Sequence, residues 1–207
     1  MISRVIVFLT LSAAISATLA VADDPSKPQP TIAVTSPPAQ FEPMTRSERF
    51  SNYLGGLVDA ESILRAAAVA GINQASNTPK EWGGGGEAYG ERLGNALAEH
   101  VIRRTLQYGA SAALHQDNRY FASGQTGFFR RTKYAVVSTF LARRDDGSRT
   151  FSYSRIGAAV GAAFISRAWQ PPSVTTAGDG AVNFGLTIAA DVGFNVVREF
   201  LPRFRRK

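Results

Sequence analysis

Cysteine is absent from this 207-residue chain. That excludes disulfides, thiolate metal sites and the acylated cysteine of a lipoprotein. Histidine is scarce, with two in the chain. Neither stands in an H-E-x-x-H pair, and His115 with Asp117 is too sparse a set for an ion, so no metal and no cofactor are expected. G-x-S-x-G, G-x-G-x-x-G and Walker spacings are missing, which leaves no serine-hydrolase elbow and no nucleotide loop. The glycine run Gly83–Gly86 feeds a helix start, where a phosphate can sit, but Glu87 and Glu91 already occupy that positive end. Asp191 with Glu199 as a glycosidase pair finds no support in any spacing rule. Beyond the N-terminus no uncharged apolar run reaches the roughly 20 residues of a membrane span. No transmembrane helix is expected in the mature chain.

Basic charge is in surplus. Lysine and arginine number 23 against 16 acidic residues, a formal charge of +7. The arginines fall in doublets. Arg130, Arg131, Arg143, Arg144, Arg203, Arg205 and Arg206 form the expected binding surface for anionic lipid headgroups, acidic envelope polymers or a protein partner. Solubility and helix C-terminal charge are the plainer account of the same residues. No nucleic-acid partner is expected, because the N-terminus directs the chain out of the cytoplasm.

Met1–Arg4 is basic, the next fifteen residues are almost wholly apolar, and Ala20-Val21-Ala22 fits a peptidase site. Residues 1–22 therefore read as a secretory signal, with an N-terminal membrane anchor as the rival. The expected location is the periplasm or cell envelope. Residues 23–43 hold six of the ten prolines and read as a disordered leader. Residues 44–202 make the helical domain, and 203–207 a basic tail.

Within the domain, Thr45-x-x-Glu48 is a capping box for a short helix with Phe50, Tyr53 and Leu54 on its inner face. Asp59 caps a helix over 60–75, with Ile63, Leu64 and Ile72 among its apolar positions. Ala67, Gly71 and Ala75 give it a stripe for close packing. Pro79 opens a single turn that carries Trp82. A long helix then runs from Gly86 toward His115. Glu87, Glu91, Asn95 and Glu99, with Arg92 and Arg103 beside them, mark its wet side. Gly86, Gly90, Gly94 and Ala98 form its packing groove. Further helices are expected over 128–143, with Phe129, Val136, Val137 and Phe140 inward, over 155–169, and over 181–201, where Gly185, Ala189 and Gly193 repeat the small-residue spacing.

One stripe of the long helix breaks the apolar pattern. At about 100° per residue, His100, Arg104, Tyr108, Ser111 and His115 share a face that continues the Leu93–Leu97 seam. A buried arginine calls for a carboxylate, and Asp191, Asn195 and Glu199 on the last helix supply the acidic complement. The expected contact is Arg104 with Asp191 or Glu199. The cluster reads either as a network that fixes helix register or as a pocket for an anion or for histidine acid–base chemistry.

The strings HQDNRYF, FFRRTKYAVVSTFLARRDDG, SYSRIGAAVGAAFISRAWQP and FNVVREFLP resemble a group of exported bacterial proteins without an assigned activity. The resemblance implies export and a helical domain, and no catalytic residue. The expected fold is all-α, a compact bundle of five or six helices with close small-residue packing. The expected function is that of a non-enzymatic envelope protein which binds an anionic surface or a protein partner. An enzyme built on the His/Arg/carboxylate cluster is the alternative. An outer-membrane barrel is suggested only by glycine- and aromatic-rich composition.

Overall fold

Capping chemistry sets where the helices begin. The computed structural model describes residues 41–201. The signal, nearly all of the leader and the basic tail lie outside the described residues. Helix α1 (Arg46–Gly55) starts at the expected box: Thr45 Oγ1 accepts the Glu48 N–H at 3.2 Å, and the Glu48 carboxylate accepts the Thr45 N–H at 2.8 Å. Helix α2 (Ala60–Ala75) starts where Asp59 accepts the Ser62 N–H at 2.7 Å. Helices α3 (Gly85–Ala113), α4 (Phe128–Phe140), α5 (Tyr153–Ile165) and α6 (Ala177–Phe200) follow. The chain is all-α, with a small sheet at one end.

Three helices differ from the sequence expectation. Helix α5 runs from Tyr153 to Ile165 instead of 155–169. Helix α6 begins four residues before Ala181, because Thr176 and Asp179 form a second capping box. Helix α4 stops at Phe140, because Leu141–Arg144 pairs as a strand instead. Strands β1 (Gln116–Asp117), β2 (Leu141–Arg144) and β3 (Arg149–Phe151) form an antiparallel sheet in that order. Its register sets Gln116 opposite Arg144 and Leu141 opposite Phe151.

Helices α2, α3, α5 and α6 run up and down around one another, α3 packing on α2 and α5, and α5 on α6. Polar contacts tie each end. At one end Glu81 accepts the Ser173 N–H at 3.2 Å, and Trp169 Nε1 donates to Asn95 at 2.9 Å. The Ser173 hydroxyl also donates to Glu81; its hydrogen bond is the main reason that carboxyl stays below its ordinary pKa. At the other end Gln116 Nε2 donates to the Phe151 carbonyl at 2.8 Å, and Asn118 to Ser154 at 2.7 Å. Helix α1 lies on α3 at this sheet end, and α4 lies on α6.

The interior inverts the expected pattern. Among the described residues, the buried members of the Ala, Val, Ile, Leu, Met and Phe set are ten alanines. They include Ala66 and Ala70 of α2, Ala88 and Ala96 of α3, and Ala158, Ala159, Ala162 and Ala163 of α5. The largest fully buried side chains are Arg92 and Glu199. The residues expected inside face out: Leu54, Ile63, Leu64, Ile72, Val137 and Phe140 are exposed, and Phe129 is 84% exposed.

The small-residue grooves are turned outward too. Gly86, Gly90 and Gly94 are exposed, and nothing stands within 4 Å of where their Cβ atoms would be. The same holds for Gly185 and Gly193. The inward positions are instead the alanines of α2, α3 and α5, so these helices approach closely through alanine, while α6 turns Gly180, Asp191, Asn195 and Glu199 inward. Polar side chains fill the space where the rows diverge. A periodicity reading assigns the bulkier apolar stripe to the core; here the narrower alanine stripe and the ionic groups hold it.

Candidate functional site

The stripe on α3 does not stay together. Its upper four members grip α1. His100 Nε2 donates to the Gly56 carbonyl at 2.8 Å, and Arg104 Nη2 donates to the Asn52 carbonyl at 3.1 Å. Both acceptors are at the C-terminal end of α1, where helix carbonyls carry partial negative charge; the Asn52 carbonyl also accepts the Gly56 N–H at 3.1 Å. Tyr108 stacks on Tyr53 with ring centroids 4.8 Å apart. The Ser111 hydroxyl donates to the Tyr108 carbonyl at 3.0 Å and accepts from Arg49 at 3.3 Å. The fifth member leaves: α3 ends before His115, which has φ +51°, is exposed, and pairs with Asp145 at 2.8 Å.

Arg104 therefore meets neither Asp191 nor Glu199, which corrects the expected contact. The α1 carbonyls take the role assigned to a carboxylate. Its Nε is buried with no hydrogen-bond partner among the described residues. Gly56 is tied to the same contact, because a Cβ there would collide with the guanidinium.

Asp191 and Glu199 have other arginines. Asp191 bridges Arg65 and Arg103, the latter at 2.8 Å. Glu61 holds Arg198 at 2.6 Å and Arg65 at 2.9 Å, so α2, α3 and α6 share one ionic chain. Asn195 donates to Thr139 of α4 at 2.9 Å. Glu199 faces away from this chain and accepts from Tyr120 Oη at 2.6 Å, from the Ser123 N–H and hydroxyl, and from Arg131 at 3.1 Å.

Two cavities open around Arg104. The smaller, about 80 Å³, is walled by Arg65, Arg103, Arg104, Arg155 and Arg198 against Asp59, Glu61 and Asp191, with His100 and Asn195 beside them. Five guanidiniums face three carboxylates there. The larger, about 200 Å³, includes Arg49, Arg104, Arg119 and Arg198 with Tyr53 and Tyr108, and no carboxylate among the described residues of its wall. Arg104, Gln107, Asn118 and Arg198 belong to both. Of the expected cluster, His100, Arg104, Asp191 and Asn195 thus border the smaller cavity, and Arg104, Tyr108 and Ser111 the larger. His115 and Glu199 border neither.

The arginines of the larger cavity differ in what they already hold. Arg198 is paired with Glu61, and Arg119 with Asp117 at 2.7 Å. Arg49 donates to the Gln116 carbonyl at 2.7 Å. Arg104 has only carbonyl acceptance from Asn52 and keeps its Nε unpartnered.

The doublets also divide. Arg130 and Arg144 are exposed. Arg131 is committed to Glu199 and lies 4.3 Å from the Phe200 ring centre. Arg143 lies over Phe121 at 4.4 Å and Phe41 at 5.2 Å. Arg203, Arg205 and Arg206 lie outside the described residues.

Several central residues were not expected from sequence. Arg92, placed on the wet side of α3, is fully buried and donates to the Thr78, Pro79 and Gly83 carbonyls at 2.9–3.1 Å. It satisfies the turn between α2 and α3 without a carboxylate. Arg155 does the same for the Ser138 and Thr139 carbonyls where α4 gives way to β2. Glu61 and Arg65 stand four apart, a readable helix pair; Arg92 and Arg155 had no such signal, because loop carbonyls carry no sequence mark.

Comparison with protein-family models, with curated proteins and with solved structures gives no match.

Proposed function

We propose that this is an exported, non-enzymatic envelope protein whose helical domain binds a small organic anion in the larger arginine cavity. The observation that carries the reading is the wall of that cavity: among the described residues, four guanidiniums, aromatic rings and no carboxylate. Anions are favoured where positive charge is in excess and partly withdrawn from water. Arg104 supplies the contact, with a buried Nε free to donate. Tyr53 and Tyr108 supply a stacking face, so the preferred ligand pairs a charged group with a flat apolar part. The resemblance to exported bacterial proteins supports the location, and the basic composition agrees with an anionic partner.

The test is calorimetric titration with phenyl phosphate and with inorganic phosphate. Phenyl phosphate is expected to bind more tightly, and Arg104→Met to weaken it about tenfold or more, the worth of one charge-assisted hydrogen bond. Absence of heat from either anion at millimolar concentration would discard the reading. An enzymatic alternative draws on His100 and Asp191 bordering the smaller cavity. It would gain from a turnover that His100→Gln abolishes while phenyl phosphate still binds.

A further inference from the structure

The four-helix belt between the two polar ends is uncharged on its outer side. Exposed residues on α2 are Ala, Ile and Leu alone, and those on α6 are Ala, Gly and Val. On α3 from Gly94 to Ala113 the outward positions are apolar or small, apart from Thr105, whose hydroxyl donates to the Val101 carbonyl at 2.9 Å. Helix α5 presents Val160, Phe164 and Ile165. The ionisable side chains of this region turn inward and are occupied there: Arg65 and Arg103 on Asp191, Arg198 on Glu61, and Glu99 accepting from Asn183 at 2.8 Å.

We infer that this belt sits in the hydrocarbon core of a lipid bilayer, with α6 crossing it and α2, α3 and α5 packed beside α6 at the same depth. Polar groups inward and bulky apolar groups outward is the arrangement that lipid demands and water opposes. Close helix contact through small residues is its usual packing. The belt runs around all four helices, so a second copy docked on one side would leave most of it wet, whereas a bilayer covers every side.

The dimensions agree. Helix α6 has 24 residues, about 36 Å at 1.5 Å per residue, and by length and composition it is the one described helix able to cross a membrane. Helix α2 with 16 residues, about 24 Å, and α5 with 13, about 20 Å, are shorter than the roughly 30 Å core and reach both faces only where the bilayer thins.

The ends agree as well. Trp82 and Trp169 lie at one end of the belt; Tyr53, Tyr108 and Tyr153 lie at the other, as residues that favour the headgroup level do. Exposed charge is confined to these ends. Around the sheet, Arg46, Arg119, Arg130, Lys133, Arg144 and Arg149 outnumber Glu42, Glu48, Asp145 and Asp146, and around the tryptophans Glu81, Glu87 and Glu91 outnumber Lys80. The sheet end therefore complements an anionic leaflet.

The absence of cysteine makes the test direct, since one introduced cysteine carries one label. The full chain is purified with Leu106→Cys, Val182→Cys, Glu87→Cys or Ser148→Cys, labelled with an environment-sensitive fluorophore and mixed with phosphatidylethanolamine–phosphatidylglycerol vesicles. Labels at 106 and 182 are expected to shift to the blue, to be quenched by spin labels on the acyl chains, and to lose quenching by aqueous iodide. Labels at 87 and 148 are expected to keep their iodide quenching. Iodide access at 106 and 182 in the presence of vesicles would overturn the inference. So would protection of both from iodide and from lipid quencher in a soluble oligomer, which assigns the belt to other copies. Phenyl phosphate titration reads the arginine cavity separately, so failure of one leaves the other standing.

Discussion

Asp191 shows how one residue can hold three helices. It is the shared acceptor of Arg65 and Arg103, and its side chain is withdrawn from solvent. Removing one partner of a buried ionic contact costs about 3–5 kcal/mol, because the remaining charges stay buried without compensation. Asp191→Ala is expected to lose stability on that scale, and Asp191→Asn less, since an amide still accepts hydrogen bonds. Thermal unfolding followed by circular dichroism measures both, and equal midpoints for Asp191→Ala and the native chain would refute the role. Arg104 is the contrasting residue. Sequence reasoning located it on an inward polar face and correctly required an acceptor, but chose a carboxylate. Helix-end carbonyls serve the same electrostatic need, and they cannot be seen in a list of side chains.

At the scale of elements, caps explain more than composition does. The Thr45 box was legible because glutamate stands at its third position and an aromatic run follows. The Thr176 box was not, because Ala177, Gly178 and Gly180 read as loop. Thr176→Ala is expected to cost about 1 kcal/mol. That corresponds to about 2–4 °C in the thermal midpoint of a chain this size. An unchanged midpoint would show that α6 is held by packing with no help from its first turn. The end of α4 teaches the complementary lesson. Leu141–Arg144 continues a helical pattern, yet pairing with both β1 and β3 takes it into the sheet. Buried Gln116, whose Oε1 accepts the Ser154 N–H at 3.0 Å, ties that sheet to α5.

For the whole molecule, charge and bulk are distributed by the polar interior. The enclosed pairs of Asp191 with Arg65 and Arg103 and of Glu61 with Arg198 lie between helices, and exposed charge lies at the ends. Salt screens exposed pairs strongly and enclosed ones weakly. The thermal midpoint is therefore expected to move by less than about 2 °C between dilute and concentrated sodium chloride. A steep fall with salt would mean that stability rests on the exposed charges at the ends instead. The same distribution accounts for the two cavities around Arg104. Guanidiniums from α2, α3, α5 and α6 converge there, and a further cavity of about 60 Å³ lies among the alanines Ala66, Ala96, Ala159, Ala162 and Ala163.

Legible in the residues alone are the helical class, the starts of α1, α2 and α3, the lack of cysteine chemistry and, of the α3 polar stripe, His100, Arg104, Tyr108 and Ser111 but not His115. Those follow from local capping, spacing and composition. Tertiary structure alone decided which stripe of each helix faces inward and which arginine meets which acceptor. Alanine rows let backbones approach, and the space left between them suits paired charges better than leucines. Periodicity records that a helix has two faces. Only the neighbouring helices say which face is the inside.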